Sequence, residues 1–176
     1  MNSFTISRTG TYLTVQDFGR FNYQHLGISP SGAMDHRILS ALNTIITKSE
    51  NQFLEFAYVG PSLKITEGAI KACVGGECKI FVQKQNNTQI EHKPYTSINL
   101  FEGDELTIHN TIDSVYGYIA IENGLGLQPC LNSYSTDTKA QIGSIPRPLQ
   151  IGDNFSIENK VSSWDLTFNN DIIIEK

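Results

Sequence analysis

Most of the chain alternates apolar and polar residues over short runs, with a period of two residues. This period is typical of strands that bury one face. Dipeptides that favour turns separate the runs, among them Gly60-Pro61 and Gly103-Asp104. The pattern predicts strands at 12–15, 53–59, 62–65, 69–74, 79–83, 96–100, 105–109, 116–121 and 154–157. Many short strands at close spacing favour a barrel or a sandwich.

One stretch has a different period. From Met34 to Ile46 the apolar residues recur at the spacing of one helix face, at Met34, Ile38, Ala41, Leu42, Ile45 and Ile46. The pattern predicts one amphipathic helix over 34–46, packed by its apolar stripe against the strands. Ser31 or Asp35 could cap its start, since a short polar side chain there accepts a backbone N–H bond. The predicted fold class is therefore mainly β with a single helix.

Composition narrows the choice of protein class. The 176 residues fit one domain, and 39% hydrophobic with 18% charged residues is too apolar for a disordered chain. The formal net charge is −5 and the Lys and Arg residues are scattered, so the surface would repel nucleic acid. The start of the chain has no basic segment followed by an apolar one, and no apolar run approaches the roughly 20 residues of a membrane span. We predict neither a nucleic-acid partner nor a membrane partner.

The cysteines point to a reducing compartment, because there are only three, an odd number. We therefore expect a cytoplasmic protein. Cys73 and Cys78 flank Gly75 and Gly76, and a hairpin loop there would make the two thiols cross-strand neighbours. A redox pair or a metal site is then one interpretation; two reduced, buried thiols are the simpler one.

The segment from 14 to 35 is the richest in polar groups and connects a predicted strand to the predicted helix. It contains Asp17, Arg20, Ser31 and Asp35 together with several glycines. Loops on a rigid scaffold are common places for sites. An arginine and carboxylates near a helix start could orient an anionic or amide-bearing substrate. The structural alternative is that Asp17 pairs with Arg20, that Ser31 only caps the helix and that the glycines only permit tight turns.

Motifs for other chemistries are incomplete. Ser31 does not have the spacing of a G-x-S-x-G nucleophile, and the histidines lack metal-ligand spacing. The sequence has no phosphate-binding P-loop, so we predict no cofactor from a motif and no metal. Asp35 follows Ala33-Met34 where a biotin carrier would need a lysine, so we expect that this chain does not itself carry biotin.

Two motifs read together resemble the opening signature of one protein family. They are TVQDFGR at 14–20 and GISPSGAMD at 27–35, and the likeness continues at 41–43, 54–56 and 60–63. It extends more loosely to 152–153 and so covers roughly residues 4 to 157. The family includes allophanate hydrolase subunit 2, the biotin-dependent carboxyltransferase domain of urea carboxylase, the C subunit of 5-oxoprolinase, and KipA, an antagonist of a sporulation-kinase inhibitor.

The resemblance implies a cyclophilin-like β-barrel and a companion protein, which in the family is allophanate hydrolase subunit 1, KipI or the B subunit of 5-oxoprolinase. It implies ATP-dependent opening of 5-oxoproline to glutamate, or carboxyl transfer from a partner's biotin to an amide such as urea. The predicted catalytic residues are Asp17, Arg20, Ser31 and Asp35. The predicted substrate-binding residues are Gln16, Gly32, Ala33 and Glu55. The alternative function is a non-catalytic regulatory module that binds a KipI-like companion, or a truncated, inactive remnant.

Two departures from the family pattern lower the activity expected of this chain alone. The family's members are about twice as long, so we expect residues 1–158 to form the barrel domain and 159–176 to begin a missing second half, which a separate chain could supply. Two arginines of the family's later motifs are replaced by Gly117 and Tyr134.

Overall fold

The computed structural model describes residues 1–46 and 49–158. The predicted tail, 159–176, lies outside these residues. The described chain contains one α-helix, α1, at His36–Ile45, and a 3-10 turn at Gln24–Leu26. The strands are β1 Asn2–Arg8, β2 Thr14–Gln16, β3 Phe53–Ala57, β4 Ser62–Glu67, β5 Ala69–Gly75, β6 Cys78–Gln83, β7 Gln89–His92, β8 Ser97–Phe101, β9 Glu105–Thr111, β10 Tyr116–Ile121 and β11 Asn154–Ile157.

The strands form two antiparallel sheets around one core. The six-stranded sheet has the order β11-β1-β4-β9-β6-β7, and the five-stranded sheet has the order β2-β3-β10-β5-β8. Inward-facing side chains from both sheets are fully buried in the same cluster, for example Phe4, Leu54, Ile80 and Ile119. The predicted class, a mainly β barrel-like fold with one helix, is confirmed.

Two strands, β1 and β7, were not predicted from the sequence, for different reasons. In β1, Phe4 and Ile6 are buried at a period of two, but polar neighbours and the short apolar run weaken the signal. β7 has no such period, because none of its residues is buried. It forms through backbone pairing with β6 beyond the turn that Lys84 N closes on Thr88 O at 2.8 Å. Edge strands of this kind are largely invisible to hydrophobic periodicity.

The helix begins at His36, two residues later than predicted. Asp35 is the N-cap, and its Oδ1 accepts a hydrogen bond from Arg37 N at 2.9 Å. Met34 precedes the helix and is 65% exposed, so it does not belong to the apolar stripe. That stripe instead centres on Leu39 and Leu42, both fully buried against the outer face of the five-stranded sheet.

The two cysteines of the possible pair lie on opposite sides of the five-stranded sheet. Cys73 on β5 faces α1, whereas Cys78 on β6 lies in the core between the sheets. The hairpin interpretation is wrong, because β5 and β6 belong to different sheets. Burial raises the pKa of both thiols to about 11, so neither is poised to be a thiolate.

Two kinds of feature are absent from the described residues. In that part of the chain, no cluster of His, Cys, Asp and Glu side chains could hold a metal ion. No helix there has the length and apolar character that a membrane crossing requires.

At Gly75 on β5 the helix packs closely against the sheet. A Cβ atom at this position would lie 2.5 Å from Ile38 Cγ2 and 3.2 Å from Leu42 Cδ1. A Cβ essentially never comes this close to another atom, so the helix can lie this low only because residue 75 has no side chain.

We therefore predict that Gly75→Ala lowers the free energy of unfolding by about 1–3 kcal/mol, the usual range for an overpacked core. Urea denaturation measures this loss. The double variant with Ile38→Ala, which removes the clashing methyl group, should lose less stability than the sum of the two single variants. Strict additivity would contradict the contact, and Ser97→Ala on the exposed face of β8 is the control.

Candidate functional site

The segment from 17 to 35 is a loop closed at its base by backbone contacts. Ala33 N donates to Asp17 O at 2.9 Å, and Arg20 N donates to Pro30 O at 2.6 Å. Gly32 has a φ of +94°, and a Cβ there would lie 3.0 Å from the Cα of Gly19. Glycine is therefore required where the two arms of the loop meet.

The carboxylate of Asp17 is buried, and both of its oxygens accept hydrogen bonds from protein groups. Its Oδ1 accepts hydrogen bonds from Gly19 N at 2.7 Å, from Ser133 Oγ at 2.9 Å and from Ser135 Oγ. Its Oδ2 accepts from Tyr134 N at 2.7 Å. All these donors are protein groups, so Asp17 organises the loop at 133–135 and presents no free oxygen to a ligand.

Arg20 has a similar structural role. Its guanidinium is fully buried; Nη2 donates to Ser135 O at 2.8 Å and Nε donates to Cys130 O at 3.3 Å. Within the described residues it has no carboxylate partner within 4.0 Å, so the Asp17–Arg20 ion pair of the structural alternative does not form. Both side chains bond to Ser135 instead. We call this arrangement, Asp17 and Arg20 on residues 130–135, the loop clamp.

Asp35 lies in different surroundings from Asp17. Besides capping α1, its Oδ2 is 3.0 Å from Nη2 of the exposed Arg37, and this hydrogen-bonded pairing lowers the pKa of Asp35. In the described chain the two carboxyl groups share no hydrogen-bond partner. The two carboxyl groups therefore have separate contacts: Asp17 holds a buried loop and Asp35 holds a helix end.

Four other predicted site residues do converge. Gln16, Ser31, Gly32 and Glu55 line one cleft of about 240 Å³. Its remaining walls come from Tyr12, Ser29, Met34, Tyr116, Thr136, Asp137 and Thr138. We call it the loop cleft. Ala33 is not part of it, because its buried side chain packs in the cluster between α1 and the sheet.

Glu55 on β3 is the most buried acid of the loop cleft, only 4% exposed. Its Oε2 accepts a hydrogen bond from Met34 N at 2.8 Å, and it also accepts one from the hydroxyl of Tyr118. That hydroxyl in turn accepts from Asp35 N at 2.9 Å. Burial raises the pKa of Glu55 in spite of these hydrogen-bond donors.

Asp137 is a cleft acid that sequence analysis did not identify. Its Oδ2 accepts a hydrogen bond from Ser31 Oγ at 3.3 Å, and its Oδ1 accepts from Lys139 N and Ala140 N. The only sequence signal is a short polar turn, and that signal is common in loops. The contact with Ser31 depends on the loop clamp, which brings residues 130–137 against the end of β2.

The two positions that depart from the family pattern both lie outside the loop cleft. A Cβ at Gly117 would lie 2.2 Å from Cζ of Phe56, so this backbone leaves no room for an arginine there. Tyr134 lines a different cavity, beside β11.

Comparison with known proteins assigns this chain to a protein family. A family model described as "Carboxyltransferase domain, subdomain A and B" matches residues 26–173. The chain belongs to this family, and the membership predicted from the motifs at 14–20 and 27–35 is confirmed.

Two curated relatives are C subunits of 5-oxoprolinase by name. The one from Haemophilus influenzae is 34% identical over 151 residues, which is 83% of this chain and 46% of the relative. The one from Escherichia coli is 29% identical over 164 residues, 86% of this chain and 48% of the relative. The chain thus spans about half the length of these relatives. Among solved structures, Kluyveromyces lactis urea amidolyase superposes with a TM-score of 0.80 at 26% identity, covering 92% of this chain and 10% of the larger one.

The loop clamp predicts a large stability effect at Asp17. Asp17→Ala strips several buried donors of their acceptor, so we expect it to lower the free energy of unfolding by about 3 kcal/mol or more. Asp17→Asn keeps one oxygen acceptor and should cost less. Urea denaturation of both variants tests the order, with exposed Asp113→Ala as the control. Equal stability of wild type and Asp17→Ala would contradict the clamp.

The raised pKa of Glu55 predicts that the stability of the protein depends on pH, and it fixes the sign of that dependence. Since its pKa is raised above the ordinary value of 4.5, the folded protein holds the proton more tightly than the unfolded chain. The contribution to stability is complete below pH 4.5 and is lost as the pH rises through the folded pKa. Wild type should therefore lose stability relative to Glu55→Gln as the pH increases from 4.5. Thermal or urea unfolding across this range measures the difference; a constant or opposite trend would contradict it.

Proposed function

We propose that this chain is part of an amide-acting enzyme, of the type formed by the C subunit of 5-oxoprolinase, and that the loop cleft holds the amide group. The observation that carries the proposal is the convergence of Gln16, Ser31, Gly32 and Glu55 in one cleft. The 34% identity to a relative with that name supports the choice of chemistry.

The polar groups of the loop cleft are suited to N–H donors. Glu55 and Asp137 contribute carboxyl oxygens and Ser31 a hydroxyl, whereas no Lys or Arg among the described residues lines the cleft. A lactam or urea N–H would donate to these oxygens, and such charge-assisted hydrogen bonds are the stronger kind. An anionic group would be repelled. The carboxylate of 5-oxoproline would therefore need a cation supplied by other protein.

ATP does not fit the loop cleft. A triphosphate needs cations or a run of free backbone N–H groups, and this cleft presents two acids instead. If the reaction uses ATP, we place its site on a companion protein that resembles the B subunit of 5-oxoprolinase.

A partner's biotin suits the loop cleft better than ATP does, because its ureido ring is neutral. The N–H groups of that ring could donate hydrogen bonds to Glu55 or Asp137. When bound, biotin supplies the carboxyl group for transfer. The residues of this chain would orient the accepting amide and hold or release a proton at Glu55.

The loop clamp gives Asp17 and Arg20 a supporting role in this proposal. They fix residues 130–135, and so place Thr136 and Asp137 on one side of the cleft, while β2 and β3 carry Gln16 and Glu55 on the other. Both act as positioning residues that do not touch the substrate. Asp35 holds the start of α1 and with it the backbone of Met34, which donates to Glu55.

A second candidate is a non-catalytic module that binds a KipI-like companion. One observation favours it: two of the predicted catalytic side chains, Asp17 and Arg20, are buried and hydrogen-bonded to the loop at 130–135. Under this alternative the loop cleft would be a surface depression that binds no substrate. Changes at Glu55 would then leave the activity of an assembled complex unchanged.

The experiment is co-expression of this chain with its companion proteins, and with any chain that supplies the other half of the relatives' length. ATP-dependent release of glutamate from 5-oxoproline is measured, and carboxyl transfer to urea is measured in parallel. We expect Glu55→Gln to raise KM by about ten-fold or more, the effect of losing a hydrogen bond to a charged group. Glu102→Gln, an exposed glutamate, is the matched control.

The outcomes separate the two candidates. Turnover that depends on Glu55 supports the enzyme and the cleft. A stable complex with turnover that is indifferent to Glu55→Gln contradicts the cleft assignment. A stable complex with no turnover of either amide favours the binding module.

A further inference from the structure

Tyr12 lines the loop cleft, and its backbone conformation is unusual for an aromatic residue. Its φ is 51°, in the left-handed region that L side chains rarely adopt. Backbone hydrogen bonds hold the residues on either side of it. Thr11 N donates to Val59 O at 2.8 Å, and Leu149 N donates to the carbonyl of Leu13 at 2.8 Å. Bulky residues keep such a conformation only where the surrounding structure fixes them, and they cluster at ligand sites.

The side chain of Tyr12 is also held at its far end. Its hydroxyl forms a hydrogen bond of 2.8 Å with Oγ1 of Thr138, which is 126 residues away in sequence. Thr138 lies in a turn that is closed by two backbone hydrogen bonds between Asp137 and Ile142, of 2.7 and 3.1 Å. Tyr12 nevertheless remains 51% exposed, so a ligand in the cleft can contact its ring. We call the bond between Tyr12 and Thr138 the tyrosine tether.

The loop cleft presents two kinds of surface to a ligand. Glu55 and Asp137 supply acceptor oxygens, whereas Tyr12, Tyr116 and Met34 supply aromatic and aliphatic atoms. A ring that contains an amide has the same two sides, because it carries N–H donors at one edge and methylene groups at the other. Open-chain urea has only the polar side. Contact of the methylene groups with an aromatic wall stabilises binding in proportion to the apolar area that leaves water.

We infer that Tyr12 is a specificity-determining residue of the loop cleft: its ring contacts the apolar side of a cyclic amide and favours that ligand over an open-chain amide. The inference rests on the proposed function, since it requires the cleft to hold an amide group. Thr138 is a positioning residue, which acts only by holding the ring of Tyr12. A ring that is held in place before the ligand arrives loses little freedom on binding, and this raises the affinity.

The test titrates the full-length, ¹⁵N-labelled chain with 2-imidazolidinone, a neutral cyclic urea, and with urea itself. The backbone signal of Gly32, which lines the cleft, reports the binding of either ligand. We expect 2-imidazolidinone to bind wild type at least about five-fold more tightly, because its methylene groups contact Tyr12. Tyr12→Ala should weaken 2-imidazolidinone and leave urea unchanged, so that the two dissociation constants agree within about two-fold.

Tyr58→Ala is the matched control. Tyr58 also has a left-handed backbone, with a φ of 58°, and it is 58% exposed, but it does not line the loop cleft. Both variants therefore place an alanine in the same strained conformation and remove an exposed phenol ring. Only Tyr12→Ala should change the preference between the two ligands.

The tyrosine tether is tested from both of its ends. Tyr12→Phe and Thr138→Val each remove the hydrogen bond and keep the size of the side chain. Each should weaken 2-imidazolidinone by about two- to five-fold, and the double variant should bind no more weakly than the weaker single variant. Thr138→Ser keeps the hydroxyl and should bind like wild type. Wild-type affinity in both Tyr12→Phe and Thr138→Val, or additive losses in the double variant, would overturn the role of Thr138.

Glu55→Gln separates this inference from the proposed function. If Glu55→Gln weakens both ligands while Tyr12→Ala leaves their ratio unchanged, the cleft holds an amide and the role inferred for Tyr12 is wrong. An equal affinity of wild type for the two ligands, or an equal effect of Tyr58→Ala, also overturns that role. If neither ligand shifts the Gly32 signal, in the chain alone or assembled with its companion proteins, the loop cleft is not an amide site and the inference fails together with the proposed function.

Discussion

The carboxylate of Asp17 is the contact on which the functional part of the structure depends. It accepts hydrogen bonds from its own loop and from the distant loop at 133–135. Without it, buried donors of both loops would lose the acceptor that they share. With it, Asp137 comes to face Ser31, and a cleft forms between parts of the chain that are distant in sequence. A side chain that touches no ligand thus determines where a ligand could sit.

The fold was largely predictable because burial follows the sequence period. In β10, Ile119 and Ile121 face the core while Tyr118 and Ala120 face the helix, so the whole strand reads as apolar. The helix start was misplaced for a local reason: Met34 is apolar but lies before the cap. β7 was unpredictable in principle, since it is held by backbone pairing and has an exposed face on a free sheet edge.

The site was only partly predictable. The polar segment at 14–35 contributes Gln16, Ser31 and Gly32 to the loop cleft. Residue type and proximity in sequence, however, do not reveal which way a side chain points. Gln16 and Glu55 reach the cleft because β2 and β3 pair side by side. Asp17 is one residue beyond Gln16 and turns inward, to serine and backbone donors whose position depends on the tertiary fold. Asp137 could not be found at all, because its importance arises from a contact with Ser31 across the loop clamp.

The clamp also has a consequence for how copies of this protein behave in a crowded solution. The buried guanidinium of Arg20 donates to the carbonyl of Ser135, so this carbonyl already has a hydrogen-bond partner. That carbonyl lies beside β2, the outermost strand of its sheet, where Thr136 N already donates to Val15 O. An incoming strand would meet an irregular segment here, in which the carbonyls of Ser135 and Thr136 already accept hydrogen bonds from Arg20 and Gln16. Self-association by strand addition, a common route to aggregation, is thereby disfavoured along that border.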